Sequence, residues 1–503
     1  MTCSARPVDI ATRTNARATA HLAAFALIWG LFAAPLQGQI TWDFPEPLDV
    51  AESTFGNKCP RLVLDAAGNP VVFMGKNNDG LYVATSENGT FNMPQAVPTE
   101  AGIFLSDAEG PDVATWGNTI GLAYQIAGQW ATGAQFMRSD DGGLTWSASS
   151  PIAPNATEDH FMPIPAFDDD GNPFVGLKLG SGNNAQEGVL LSSDGGMTWG
   201  PAEPASAAAG NGIACECCPS RTIYGNGRYH SIYRRNNNNI RDMWLVSSED
   251  GITWDQQLDL DPTDWQINAC PETGTSATWL PDGRLASVFM SAGGGSSQIY
   301  LNVCDPASDD PGLTLPLTAT QFSSINQNQP DVAVGPTHTV VAWEQSSGGW
   351  EIQLSVAPHG ALPGGLVDVA VPLSESLSGS NRHPDVAVHG STVHVIWQNS
   401  ADGTVKYLRG TLDGASALTS PTPAITTPRL VRQGPDLVTL EGATPGSSYR
   451  ILASHGTTLH KGTCDPSGRA SLPSRFLTPG TPLLVLAQTK TGPTLLKLGL
   501  AKN

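Results

Sequence analysis

The stretch from Cys215 to Trp254 decides the fold, because it holds one complete unit of a repeat. It reads CECCPSRTIYGNGRYHSIYRRNNNNIRDMWLVSSEDGITW. A short apolar run follows Pro219, a Gly-Asn-Gly turn at 225–227 leads into a second run at 229–233, and a third run covers 242–246. The Trp that ends the stretch starts a fourth run. Gly and Asn supply the positive φ that a hairpin turn needs, so the unit predicts a four-stranded antiparallel sheet.

The same unit recurs along the chain, in phase with a proline that precedes each first run. These prolines follow one another at intervals of 51 to 59 residues and are Pro60, Pro111, Pro163, Pro219, Pro271, Pro330 and Pro384. Each second run ends in a large apolar residue, and these are Phe73, Tyr124, Leu177, Tyr233, Phe289, Trp343 and Trp397. One four-stranded sheet cannot bury both of its faces, whereas sheets stacked around an axis bury one another. The sequence therefore predicts an all-β chain built on a seven-bladed β-propeller.

The two ends of the repeat predict how the ring closes. The seventh unit provides three runs before the pattern fades near Gly410, and an unpaired run occupies residues 40–50. We expect this N-terminal run to be the outer strand of the seventh blade, because that pairing removes an exposed sheet edge. The predicted domains are a signal peptide at 1–39, the propeller at 40–415, a linker at 416–430 and a small C-terminal β-sandwich-like module at 431–503.

Charge and the N-terminal segment limit the classes of partner. Arginines precede an apolar run from Leu22 to Leu36, which is typical of an export signal and short for a membrane span. The formal net charge of -20 argues against nucleic acid as a partner. We therefore expect a secreted or periplasmic monomer with no membrane span, in a compartment that permits disulfides, whose partner is a glycan or another small molecule.

A sharper motif lies at the turn between the third and fourth runs. It reads SDDGGLTW at 139–146, SSDGGMTW at 192–199, SSEDGITW at 247–254 and SDDPGLTL at 308–315. We assign the acidic place of the third copy to Glu249 and expect the acid to cap its own turn and the aromatic to pack between strands. The motif resembles the Asp-box (BNR) repeat of sialidase-like propellers. The resemblance implies a propeller over residues 40–410, with its ligand site at one end of the central channel.

Several sulfur-containing side chains map to that end of the channel. The loops before each first run and the ends of the second runs share one face of a propeller. Thiol, thioether and imidazole groups at this rim are Cys59, Cys215, Cys217, Cys218, Cys270, Met74, Met162, Met290 and His383. Disulfides between neighbouring loops are one interpretation. The other is a soft-metal site for copper first and zinc second, since thiolate and thioether ligands select such ions. A mixture of the two, or a redox role, is also open.

A second set of rim residues is charged. Its members are Lys58, Arg234, Arg235, Glu344 and Arg382. Basic side chains of this kind bind a carboxylate or a sulfated sugar, although arginines in a polar loop also form structural ion pairs. Both interpretations stay open at this point.

The resemblance to sialidases has specific consequences for these charges. That family uses an arginine triad, opened by a Phe-Arg-Ile-Pro motif, together with a tyrosine nucleophile paired with a glutamate, and an aspartate. Here the matching triplet is Lys58-Cys59-Pro60, Arg382-His383-Pro384 keeps the Arg-x-Pro form in the last blade, and Arg234 is a candidate second arginine. Cys-Glu-Cys-Cys-Pro also resembles a bacterial branch of Asp-box proteins often called exo-α-sialidase. We therefore predict a propeller that binds a glycan or soft metal at a cysteine-rich rim. The alternatives are a sialidase-like glycoside hydrolase and a non-catalytic adhesion or scaffold propeller.

Overall fold

The computed structural model describes the propeller and much of the C-terminal region. The described residues are 40–51, 57–76, 80–87, 89–100, 102–106, 109–206, 213–412, 429–434, 437–441, 448–452, 458–464, 470–472, 483–489 and 492–498. The predicted signal peptide lies outside them, as does all of the predicted linker except its last two residues. In the described part of the chain, no helix has the length and apolar character that crossing a bilayer requires.

Seven antiparallel sheets follow one another along the chain, and each runs from an inner to an outer strand. Blade 1 contains Asn57–Leu64, Pro70–Lys76, Gly80–Glu87, Thr90–Phe91 and Gln95–Ala96. Blade 2 contains Asp112–Trp116, Thr119–Gln125, Ala134–Ser139 and Ser150–Pro151. Blade 3 contains His160–Phe167, Pro173–Leu179 and Gln186–Leu191, and blade 4 contains Arg221–Gly225, Arg228–Arg234, Met243–Ser248 and Trp254–Asp259. The predicted seven-bladed β-propeller is confirmed.

The remaining blades and short helices complete the ring. Blade 5 contains Thr275–Trp279, Leu285–Ser291, Gln298–Asp305 and Asp310–Pro316, and blade 6 contains Gln327–Val334, His338–Ser346, Trp350–Pro358 and Val371–Pro372. Blade 7 contains Asn381–His389, Thr392–Asn399 and Thr404–Leu412. Single turns of 3-10 helix occupy Gly182–Asn184, Pro306–Ser308, His359–Ala361 and Gly364–Leu366.

The N-terminal strand closes the ring as the sequence predicted. Ile40–Trp42 pairs antiparallel with Thr404–Leu412, with Ile40 opposite Leu412. Leu48–Asp49 extends the same contact farther along that strand. The first and last parts of the propeller therefore share one sheet, which leaves no unpaired edge at the seam.

Large side chains on the second strands fill the spaces between blades. All seven residues that the repeat singled out at the ends of those strands are fully or almost fully buried. Trp397 belongs to a cluster formed by blades 6 and 7, and Phe73 to one formed by blades 1 and 2. Each sheet is thus covered by its neighbour, which is the burial that a single sheet cannot achieve.

The Asp-box turns are locally satisfied. Asp141 accepts hydrogen bonds from the N–H of Leu144 (3.1 Å) and from the N–H and hydroxyl of Thr145 (2.8 and 2.6 Å). Gly143, at φ 94°, takes a conformation that side chains rarely adopt. The box aromatic Trp146 packs edge-to-face on Phe73 of the preceding blade, with ring centroids 5.8 Å apart. The structural role that the sequence predicted for this motif agrees with these contacts.

One detail of the third box differs from the sequence interpretation. The capping acid is Asp250, which accepts the N–H groups of Ile252 and Thr253, and not Glu249, whose carboxylate pairs with Arg228. This copy has one glycine where the first two have two. The turn is therefore one residue shorter, and Ser248 takes the place of the first serine.

Inner strands are joined by side chains that follow the prolines. Asp385 accepts the N–H of Leu62 in the next blade at 3.0 Å. Asp331 likewise accepts the N–H of Val386 at 2.8 Å. Burial, and then the neighbouring Asp331, raise the pKa of Asp385 well above its usual range. The Pro-Asp pairs therefore connect neighbouring blades across the channel wall.

The C-terminal region adds two small sheets. One contains Arg429–Gly434, Leu437–Glu441 and Ala470–Ser471, and the other contains Thr458–Thr463, Ser448–Leu452, Leu483–Thr489 and Gly492–Leu498. Leu452 packs on Leu315 and Val367, and Arg450 lies 3.4 Å from Asp368. These β elements contact blades 5 and 6.

Candidate functional site at the channel mouth

The inner strands line a central channel of 410 Å³. They begin, and the second strands end, at one face, which we call the mouth. The opposite face carries the Asp-boxes. Inside the channel Asp112 lies 3.2 Å from Arg61 and 3.5 Å from Arg221. The channel wall is therefore charged, which the sequence analysis did not predict, although the recurrent Pro-Asp pair was a readable signal.

Four cysteines gather at the mouth between blades 4 and 5. They form the disulfides Cys215–Cys218 and Cys217–Cys270, whose Cα atoms are 5.5 and 6.3 Å apart. The sulfurs of Cys215, Cys217 and Cys218 lie within 4.8 Å of one another, as metal ligands do. We call these four residues the cysteine rim. Both interpretations of the sequence, disulfides and a metal site, are compatible with this geometry.

Two backbone hydrogen bonds and one close packing contact connect the cysteine rim to three blades. The N–H of Cys215 donates to the carbonyl of Arg234 at 2.7 Å, and the N–H of Ala214 donates to that of Ala185, also at 2.7 Å. Gly274, just before the inner strand of blade 5, lies so close to Pro219 that a Cβ there would be 2.7 Å from its carbonyl oxygen. The rim is therefore rigidly seated before any disulfide is considered.

Cys59 occupies a different part of the mouth. It is buried, and its thiol donates to the carbonyl of Ser106 at 3.0 Å, between blades 1 and 2. Its φ of 49° marks a β-bulge that interrupts the strand register between Lys58 and Arg61. The structure thus does not place Cys59 in the group formed by Cys215, Cys217 and Cys218.

The remaining predicted sulfur and imidazole residues are spread around the ring. Met74 is fully buried in the core formed by blades 7 and 1. Met290 belongs to the core of blades 5 and 6. Met162 and His383 each precede a proline, with φ values of 57° and 54°. They occupy, in blades 3 and 7, the bulge position that Cys59 occupies in blade 1. These residues are spread around the ring because each occupies a repeat position that occurs once in every blade.

Arg234 is a structural residue of the blade 4–5 junction. It is 0% exposed and donates to the carbonyls of Arg241 and Met290, each at 2.7 Å. Its guanidinium also lies over the ring of Trp265. Burial lowers the pKa of Arg234 to about 10, against the opposing effect of Asp261. Arg235, next in the chain, stacks on Trp244 with 4.5 Å to the ring centroid.

Carboxyl groups surround this buried arginine. Burial, and then Asp261, raise the pKa of Asp242 to about 8. Burial raises the pKa of Asp259 to about 7. Asp242 also accepts the N–H of Trp265 at 3.0 Å. The junction beside the cysteine rim therefore holds acids whose pKa values are raised toward neutral pH.

Glu344 and Arg382 form an ion pair between blades 6 and 7. The carboxylate of Glu344 is fully buried and lies 2.9 Å from the guanidinium of Arg382, which is 24% exposed. Glu344 also accepts the N–H of His383 at 3.0 Å. The guanidinium stacks on Trp350, 4.9 Å from the ring centroid. Lys58 is half-buried at the start of blade 1, so the five predicted charged residues do not form one cluster.

A buried ion pair in blade 3 was not predicted. Lys178 and Glu187 are both fully buried, with 2.6 Å between the ammonium and the carboxylate. Glu187 also accepts the hydroxyl of Ser231 in blade 4 at 3.0 Å. Lys178 is the next-to-last residue of the second strand, near the mouth, and Glu187 lies on the third strand of the same blade.

The tyrosines bear on the resemblance to sialidases. All eight belong to described residues, and Tyr224 is the one among them that lines the channel. It lies near the end of its inner strand, toward the box face. Tyr233, at the rim end of its strand, is 1% exposed, and burial raises its pKa.

Part of the chain matches a known repeat domain, and several solved structures are similar to it. Residues 109–293, from blade 2 into blade 5, match the BNR repeat-like domain. Among solved structures, a protein of unknown function from Dyadobacter fermentans is 14% identical, with a TM-score of 0.42 over 64% of this chain and 99% of its own. The Hadza microbial sialidase Hz136 is 13% identical, with a TM-score of 0.41 over 73% of this chain and 69% of its own. Trypanosoma rangeli sialidase in complex with the inhibitor DANA is 9% identical, with a TM-score of 0.42 over 90% of this chain and 87% of its own.

No curated protein matches this chain. Three features agree with one another, namely the Asp-box turns, the closed ring of seven blades and the BNR repeat-like match. Together these features show a seven-bladed β-propeller whose residues 109–293 match the BNR repeat-like domain.

Proposed function

We propose that this protein is an exported binding propeller whose cysteine rim binds a soft metal ion in the reduced state. The observation that carries the proposal is the group of three sulfurs, from Cys215, Cys217 and Cys218, within 4.8 Å of one another. Cys270 comes to the same place from the next blade. Thiolates in this number select copper(I) first and zinc second.

The redox state of the rim decides between its two roles. The same sulfurs cannot be disulfide-bonded and coordinate a metal ion. Export through the segment at 1–39 would deliver the chain to a secreted or periplasmic location, where disulfides persist. In the oxidised protein, the two disulfides of the rim crosslink the loops that carry them. Reduction by an external dithiol exposes the ligand set.

Metal analysis of the reduced protein tests the proposal. The chain would be purified anaerobically with dithiothreitol, loaded separately with copper(I) and zinc, desalted and analysed by mass spectrometry. We expect about one tightly held ion per chain, because three or four clustered thiolates make one site. Cys217→Ser removes a central ligand and should abolish retention.

The matched control is Cys304→Ser, which alters a buried thiol in blade 5 outside the rim. This variant should retain the metal. Reduced wild-type protein that retains neither ion would overturn the proposal, as would equal retention by the Cys217→Ser variant.

A second candidate function is glycan binding with sialidase-like hydrolysis. It is favoured by one observation, the partly exposed guanidinium of Arg382 held by Glu344 beside His383, which lines the channel. A fluorogenic sialoside and a panel of uronic and sulfated glycosides test it. Turnover or binding that is lost in Arg382→Ala supports this function, and the absence of both removes it.

The domain division is part of the proposal. It consists of a signal peptide at 1–39, the propeller at 40–415, a linker at 416–430 and a C-terminal module at 431–503. Limited proteolysis should cut first within the predicted linker at 416–430, and N-terminal sequencing of the exported protein should begin near residue 40. Protection of the linker would contradict this division.

A further inference from the structure

Three aromatic side chains meet at the mouth between blades 2 and 3. The rings of Phe104 and Trp130 are 4.9 Å apart at an interplanar angle of 78°, and those of Trp130 and Phe161 are 6.5 Å apart. We call these residues the aromatic ledge. Trp130 is 39% exposed although both neighbours pack against it. A large aromatic surface is therefore presented to solvent on a preformed support.

Backbone bonds hold the ledge in place. The N–H of Phe104 donates to the carbonyl of Gln125 at 2.7 Å. The N–H of His160, next to Phe161, donates to the carbonyl of Trp130 at 2.8 Å. Loops of two blades are thus tied together at the ledge, so the aromatic surface requires little ordering when a ligand binds.

Two buried oxygens beside the ledge have no hydrogen-bond partner among the described residues. They are Oε1 of Glu109 and Oε1 of Gln125, in side chains that are 9% and 2% exposed. The register pairs Asp112 with Ala123, so residues 109 and 125 flank each other just beyond the paired strands. The carboxyl of Glu109 also accepts the N–H of Met162, the residue after Phe161. An unsatisfied buried acceptor is costly, which marks a place where a ligand can donate.

The chemistry of these groups specifies the ligand. An aromatic face takes the apolar C–H face of a sugar ring, while the two acceptor oxygens require donors such as hydroxyl groups. Burial raises the pKa of Glu109 to about 7, so the carboxyl carries negative charge above neutral pH. An anionic sugar would be repelled there, whereas an uncharged polyhydroxylated ring would not.

We propose that the aromatic ledge, with Glu109 and Gln125, is a binding site for a neutral pyranose ring of a glycan. The ring stacks on Trp130, and the side chains of Glu109 and Gln125, whose oxygens are buried in the free protein, turn toward it and accept hydrogen bonds from its hydroxyls. This site lies on the side of the mouth formed by blades 2 and 3, whereas the cysteine rim belongs to blades 4 and 5. It does not require metal binding or hydrolysis, so it goes beyond the function proposed above.

Fluorescence titration and calorimetry on the full chain test this site. The probes are cellohexaose, mannohexaose, chitohexaose and the anionic 3′-sialyllactose. We expect at least one neutral hexasaccharide to bind saturably and to be preferred over sialyllactose. Trp130→Ala should weaken that binding by at least about tenfold, because truncation of a central aromatic contact removes most of its area. Glu109→Leu should weaken binding more than Glu109→Gln, which retains an acceptor oxygen.

Trp116→Ala is the matched control. Trp116 is 44% exposed and ends the inner strand of the same blade at the opposite face. Its loss should leave binding within about twofold of the wild type. Cys217→Ser should also retain binding, which separates failure of this site from failure of the metal proposal. The absence of binding by every neutral probe, a preference for sialyllactose, or equal effects of Trp130→Ala and Trp116→Ala would each overturn the proposal.

Discussion

The two faces of the propeller are built from the same repeat but differ in how regular their side chains are. On the box face, Asp141, Asp194 and Asp250 accept hydrogen bonds within their own turns, and the arrangement recurs in three consecutive blades. Those bonds lower the pKa of Asp194 and Asp250 to about 2. At the mouth, the side chains differ from one blade to the next, and several acids have a raised pKa. Repetition therefore marks the structural face, whereas variation marks the face that can bind a ligand.

Backbone conformation shows the same contrast. In four blades the residue before the proline has a positive φ, and these residues are Cys59, Met162, Gln329 and His383. Such a conformation is uncommon for residues other than glycine and costs about 1–3 kcal/mol when it is strained. On the box face, glycines such as Gly143 and Gly196 take positive φ values without that cost, although Asn226 and Asp309 also adopt them. At the mouth, the recurrent position before the proline carries a side chain in all four of these blades.

The buried ion pair at the mouth should produce the largest effect on stability. Lys178→Met leaves the carboxylate of Glu187 in a fully buried position without its cation. We expect a loss of about 3–5 kcal/mol in the free energy of unfolding, as is typical when one partner of a buried pair is removed. Urea unfolding followed by tryptophan fluorescence measures it.

An exposed pair on the box face provides the control for this comparison. Arg284→Ala removes a 2.7 Å contact with Asp282 in a solvent-exposed turn. The loss should stay below about 1 kcal/mol, because water screens such pairs. Similar losses for Lys178→Met and Arg284→Ala would contradict the contrast between the two faces.

Loss of a disulfide in the cysteine rim should have the second largest effect on stability. Cys270→Ser opens the disulfide with Cys217, which spans 53 residues. We expect the oxidised protein to lose about 2–4 kcal/mol, since a crosslink restricts the unfolded chain. Thermal unfolding with and without dithiothreitol measures this loss. The reductant should lower the Tm of the wild type and leave that of the Cys270→Ser variant less affected.

A box substitution should have a smaller effect. Asp141→Ala removes the acceptor for Leu144 and Thr145 in a turn that is open to water. We expect a loss of about 1 kcal/mol, because solvent replaces most of these hydrogen bonds. Leu144→Ala in the same turn is the control, since its side chain is largely exposed. An Asp141→Ala loss larger than that of Lys178→Met would reverse the comparison.

The last prediction concerns a slope of stability with pH and not a loss at one pH. The folded pKa of Asp242 is about 8, above the value of about 3.9 in an unfolded chain. The folded state therefore binds more protons between these values, and stability falls as pH rises from about 4 to 8. Asp242→Asn keeps an acceptor for Trp265 and removes this titration. The difference in Tm between variant and wild type should grow from pH 5 to pH 8. A constant difference would show that Asp242 does not contribute to the slope.

Much of the architecture could be predicted from local patterns. The prolines, the large residues of the second strands and the Asp-box turns each encode a contact within one blade or between adjacent blades. Closure by Ile40–Trp42 could be predicted because the seventh unit lacked an outer run. The error at Glu249 has a local cause as well, since the deletion of one glycine shifts the capping acid to Asp250. Errors of one residue are expected where a turn changes length.

The sequence by itself determined the seven-bladed ring and the face at which its rim residues lie, because strand periodicity and turn chemistry are local and repeat in every unit. Only the tertiary structure decided which rim residues meet. It paired Cys217 with Cys270, buried Arg234 beneath the rim, and placed Cys59 beside Ser106 instead. Phe104, Trp130 and Phe161 likewise come together from separate loops. Such contacts depend on the lengths and paths of loops from different blades, which no repeat period specifies.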